Sequence, residues 1–121
     1  MYKCKADPQN NRLYIKFDGF ITAEEVKEIR QIMSREMIKL KTGFNVISDI
    51  SHLQSDSQIG AKDLMRLQKA LKKTGAHRVV RIAGDQFVSL NFFERASREV
   101  GLIMERANSM AEAEALLDKR E

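Results

Sequence analysis

The chain has 121 residues, 43 % of them hydrophobic and 31 % charged, with one cysteine and a formal net charge of +4. That length and balance predict a single domain with its own core, and exclude a disordered chain or an internally disulfide-bonded one. No apolar run approaches the roughly 18 residues of a spanning helix, and residues 1–5 lead into a short strand-like run instead of a secretion signal, so a cytoplasmic protein without membrane insertion is expected.

In chain order, "YKCKAD" alternates and stops at Pro8, "PQNN" carries turn chemistry, and "RLYIKFDG" alternates again with Leu13, Ile15 and Phe17 on one face. Two such runs around a short turn predict a β-hairpin, closed by Gly19. Thr22 and Glu25 form a capping-box pair that opens a helix. Val26, Ile29, Met33, Met37 and Leu40 continue it at helical spacing, with Gly43 as its end. "FNVISDI" is short and apolar and reads as a buried strand ending near Asp49. Leu64, Leu67 and Leu71 mark a second helix that Gly75 closes. "HRVVRIAG" is a strand, and "SLNFFERASREV" a third helix with Phe93, Ala96 and Val100 inward. "LIMERA" is a last short strand, and Ser109 with Glu112 predicts a second capping box before a final helix. The order β-β-α-β-α-β-α-β-α predicts one small α/β domain over residues 1–121. Its mixed, mostly parallel sheet has an N-terminal hairpin, about five strands and four helices.

The stretch "DISHLQSDSQIG", residues 49–60, concentrates hydroxyls and carboxylates between a strand and a helix. Asp56 or Ser57 caps that helix, or Ser57 (with Ser55 as second choice) accepts a phosphate there. A helix amino end tolerates the anion, and the added charge blocks an acidic partner. Asp49, at a strand's carboxyl end, either binds a ligand or fixes the loop through backbone hydrogen bonds. Gly84 and Asp85 follow the next strand and belong to the same sheet edge. Phe87, Phe92 and Phe93 bring three aromatics close together, and Phe87, off the helical stripe, is the candidate contact residue.

Catalytic and metal signals are lacking. His52 and His77 belong to no spaced ligand set, no nucleophile elbow or phosphate-binding glycine loop occurs, and Glu24 and Glu25 sit where a helix dipole favours them. No enzyme, metal or cofactor is expected. The basic residues Lys62, Arg66, Lys69 and Lys73 share a helix with Asp63 and read as a solvated face in preference to a nucleic-acid surface.

The element order, "FNVISDIS" with Asp49, "SDSQIG" with Asp56 and Ser57, and the helix-turn-strand "KTGAHRVVRIAG" together resemble the STAS superfamily. That superfamily includes the anti-sigma-factor antagonists and cytoplasmic domains of anion transporters. "REVGLIMERANSMAEAEALL" is similar to the family's ending. Gln58 and Ile59 before Gly60, and Lys62 and Asp63 after it, depart from the family's loop pattern, as in a divergent branch. The resemblance implies a bacterial regulatory domain of the anti-sigma-antagonist type. Such a domain docks a kinase-like or anti-sigma-like protein through residues 49–60 (Asp49, Asp56 and Gly60 among them) and the helix behind. The alternative is a binder of a small anionic or apolar, lipid-like ligand at the same edge, near Asp85 and Phe87. A free hairpin edge also permits a homodimer.

Overall fold

A computed structural model describes residues 1–54, 56–83 and 87–119, the side chains of 87–90 and 92 excepted. The strands are β1 (Tyr2–Asp7), β2 (Arg12–Gly19), β3 (Asn45–Leu53), β4 (Arg78–Ile82) and β5 (Ile103–Ala107). The helices are α1 (Ala23–Met37), α2 (Ala61–Thr74), α3 (Phe87–Glu99) and α4 (Met110–Asp118). The sheet order is β1-β2-β3-β4-β5, with β1 antiparallel to β2 and every later pair parallel. The expected order and the mixed sheet are both present.

This order fixes where the helices go. Parallel crossovers are right-handed as a rule, and three of them stepping the same way along the sheet put three helices on one face. Val26, Ile29 and Met33 of α1, Leu64 and Leu71 of α2, and Phe93 of α3 accordingly share a core with Leu13, Ile15, Val46, Ile50 and Val79. The helix α4, which comes after the last of these crossovers, lies on the other face. There Ala113 and Leu117 cover Ile47, Val80, Ile82 and Ala107. The β1 part of that face stays open, with Lys3 and Lys5 exposed, while Tyr14 of β2 packs against the α4 cluster and donates to Glu114 at 2.9 Å.

Local chemistry sets several boundaries. Thr22 accepts from the Glu25 N–H at 3.1 Å while Glu25 accepts from the Thr22 N–H at 3.1 Å, a reciprocal cap that contributes about 1 kcal/mol. α1 ends earlier than the periodicity predicts. Met37 is its last residue, and Leu40 and Gly43 lie in the connection to β3, where the Asn11 side chain donates to Lys41 O and accepts from Lys41 N. Those bonds tie the hairpin turn to the connection and end the helix there. Gly75 ends α2 with φ +112°, and a Cβ there would meet Thr42 Cγ2 at 2.9 Å, so glycine is required. At α4, Ser109 accepts from the Glu112 N–H, but the Glu112 carboxylate passes the cap and accepts from Asn108 N–H at 2.9 Å. The second capping box is therefore displaced by one residue.

Candidate functional site

Asp49 does not end its strand. β3 runs on to Leu53 because β2 continues to pair with it, Asp18 opposite His52 and Gly19 opposite Leu53. Pairing with β4 does stop at Asp49, opposite Ile82. Between Lys16 and Asp18 the register slips, so β3 holds one extra residue just after Asp49. The Asp49 carboxylate serves that irregularity, accepting from the Ser51 N–H at 3.0 Å and the Ser51 hydroxyl at 2.6 Å. The Ser51 Oγ also lies 3.1 Å from His52 Nδ1. In a catalytic triad the carboxylate orients the base. Here it accepts the hydroxyl's hydrogen bond directly, which holds Ser51 in place.

Neither Asp56 nor Ser57 caps α2, which corrects that expectation. Gly60 is the N-cap, and the Asp63 carboxylate reaches back to its N–H at 3.4 Å. The chain from Leu53 to Gly60 is instead held by the turn between β2 and α1. Gln54 N–H donates to Gly19 O at 2.9 Å, and Gln58 N–H donates to Ile21 O at 2.7 Å. Ser57 Oγ accepts from the Ile21 N–H at 2.9 Å and its hydroxyl faces Gly19 O at 3.5 Å. Gln58 Oε1 accepts from the Ala23 N–H at 2.8 Å. Three successive amides at the start of α1 thus meet three side chains: Ile21 with Ser57, Thr22 with Glu25, and Ala23 with Gln58. Orphan donors at a helix start need such acceptors. Ser57 and Gln58 supply them from more than 30 residues away, so α1, not α2, receives the loop's capping groups.

Ser57 is half-buried in this clamp, while Asp56, Gln58 and Gly60 are exposed beside it. Ile59 packs onto the main core and anchors the segment. Glu25 is held below the usual carboxylate range, chiefly by the Thr22 N–H, so a negative charge stands next to Ser57's amide partner. Ser55 and Asp85 lie outside the described residues, as does the side chain of Phe87. The Phe87 backbone forms the first residue of α3, not a loop.

Three cavities, of about 940, 460 and 10 Å³, are lined by none of residues 49–60. The 940 Å³ groove lies at the opposite edge of the sheet, against Asn11, Asn45, His77 and Arg78. The 460 Å³ groove separates α1 from α2 and carries Lys27, Arg30 and Arg66. Among the described residues no group of three potential metal ligands gathers, and no helix is long and apolar enough to cross a membrane. Burial pushes the Cys4 thiol up to about 12, which keeps it protonated and unreactive.

No family model and no curated protein matches the sequence. A solved structure does. It is an uncharacterised protein from the DUF3478 family with a SpoIIAA-like fold, from Shewanella loihica PV-4. It superposes with a TM-score of 0.73 over 97 % of this chain and 92 % of that one, at 18 % identity. The chain has a SpoIIAA-like fold. This is the fold of the anti-sigma-factor antagonists, as the resemblance implied. In this SpoIIAA-like domain the segment that the family pattern singles out, residues 49–60, is the one clamped to the start of α1. Sequence reading missed Gln58 as a capping group. Its only local signal was an amide side chain beside Ser57.

Proposed function

We propose that the protein is a non-enzymatic regulatory domain that docks a protein partner of the anti-sigma-factor or kinase type through residues 49–60 and the start of α2, with Ser57 as phosphoacceptor. The clamp between Ser57 and the start of α1 supports this reading. A phosphoryl group on Ser57 removes the hydroxyl proton and places nearly two negative charges beside the Glu25 carboxylate. Like charges repel, and the amides that would otherwise receive the phosphate already hold Glu25 and Gln58. Modification therefore releases the loop instead of binding it more tightly. The groove between α1 and α2, with Lys27, Arg30 and Arg66, supports an acidic docking surface on the partner.

The test is capture of tagged wild-type, Ser57→Ala and Ser57→Asp proteins from the source cells, with mass spectrometry of proteins and phosphopeptides. The expected result is one partner retained by wild type and Ser57→Ala and released by Ser57→Asp, with phosphate on Ser57. A partner that Ser57→Asp still holds, or the absence of both partner and phosphate, overturns the reading.

A further inference from the structure

The groove of about 460 Å³ between α1 and α2 has Lys27 and Arg30 on one wall, Arg66 and Ala70 on the other, and Met33 and Leu67 as its floor. None of the residues that line it is acidic. Lys27 and Arg30 have no ion pair among the described residues, whereas Lys39 and Arg106, also exposed, are each paired with a glutamate. Helical spacing carries the basic surface past the groove. Lys62, Lys69 and Lys73 stand on the Arg66 side of α2, one turn before it and one and two turns after it, and all are exposed. Two acids flank this face. Glu24 lies one turn before Lys27, and Asp63 accepts from the Gly60 N–H at 3.4 Å and stands 3.9 Å from Arg66. Six cations against two acids give this one face the whole of the formal net charge of +4, so the remaining charges of the chain balance. The cations of α2 alone read as a solvated face. The structure sets the α1 pair beside them and a groove between.

The shape narrows what can lie there. Ile38, 82 % exposed, continues the stripe of Lys27, Arg30 and Ser34 on α1. From Lys27 to Ile38 is about 16 Å at 1.5 Å per residue, or about three helical turns. A bilayer is flat and would meet only the rims of the groove. Neither helix carries an aromatic residue on which a base could stack. An added strand would bring an unpaired backbone ladder against side chains, whereas a helix satisfies its own backbone. Met33 and Leu67 are already buried by their own helices, so an occupant is held by charge and by the aliphatic stems of the lysines and arginines more than by new apolar burial.

We propose that the α1–α2 groove receives an acidic helix of the protein partner, about three turns long. Its carboxylates, spaced three and four residues apart, meet the cations of both walls, and an apolar side chain at one end covers Ile38. The proposal rests on the docking reading above for the existence of a partner, and on the groove for that partner's chemistry. The groove and the loop form one continuous surface, because the Ala23 N–H that Gln58 accepts from lies one turn before Lys27.

Fluorescence anisotropy with a labelled, end-capped helical peptide of about 14 residues tests it, with glutamates spaced by three and four and a leucine near one end. Wild-type protein is expected to bind this peptide about tenfold or more tightly than a scrambled peptide of the same composition, and to lose affinity as salt is raised. Reversing two surface charges, Lys27→Glu with Arg66→Glu, is expected to weaken binding about tenfold or more, and Ile38→Ser about threefold. No binding, equal binding of the scrambled peptide, tighter binding of a short DNA duplex or of phosphatidylserine vesicles, or unchanged affinity in either variant overturns the proposal. The titration needs no native partner, so its result is separate from that of the Ser57 capture. A bound peptide with a failed capture leaves the groove without the switch, and a capture that Lys27→Glu with Arg66→Glu does not weaken leaves the switch and overturns the groove.

Discussion

On the α4 side of the sheet, Arg12 meets Asp118, and Arg78 meets Glu105 through Nε at 2.7 Å and Nη2 at 2.9 Å. On the α1–α3 side, the buried Arg81 donates to Ser97 Oγ, Met104 Sδ and Gln68 Oε1 and meets no carboxylate among the described residues. The difference follows from thickness. One nine-residue helix covers the α4 side, so Asp118 and Glu105 keep part of their hydration and pair at little expense. Three helices seal the other side, where a second buried charge would lose hydration that one ion pair does not restore. The same molecule thus pairs its cations where water remains within reach and leaves one among hydroxyl, amide and thioether where it does not.

The comparison is sharpest in the cores. Leu64→Ala, fully buried on α2 in the core of the three-helix side, is expected to lower stability by about 3 kcal/mol in urea unfolding, and Leu117→Ala, in the smaller α4 cluster, by about 2 kcal/mol. Equal losses would break the distinction between a thick and a thin face. Arg78→Met comes next. It removes a two-pronged, half-buried pair and is expected to lower stability by about 1–2 kcal/mol, with Glu105→Gln giving most of the same loss. No change in either variant would show that the α4 side gains nothing from pairing. Smallest is Arg106→Ala, whose exposed guanidinium pairs with Glu94 on the rim. Less than about 0.5 kcal/mol is expected at moderate salt. A larger loss would show that a rim pair counts as much as the half-buried one on the α4 side.

What the sequence made legible was local. The hairpin follows from two alternating runs around Pro8 and the asparagines, and the start of α1 from Thr22 and Glu25, partners three residues apart. Element order then gave the mixed sheet. What it hid was set at long range. The end of β3 depends on how far β2 accompanies it, and the roles of Ser57 and Gln58 depend on amides more than 30 positions away. A capping-rich loop before a helix reads as that helix's cap, yet here it serves another helix. Arg81 was visible in outline. Strict alternation puts it inward with Val79 and Ala83, and Gln68 falls on the Leu64–Leu71 stripe, so the pairing of two inward polar groups was already written.

Every strand lies beside its predecessor in the chain, and none is inserted between earlier ones. Sequence-adjacent pairing keeps the loops to be closed short, which favours fast assembly. During synthesis, the hairpin emerges ahead of the other strands, and each helix–strand unit that follows finds a finished edge waiting for it. The growing edge is always the most recent strand, so the incomplete chain exposes one unpaired ladder at a time on that side.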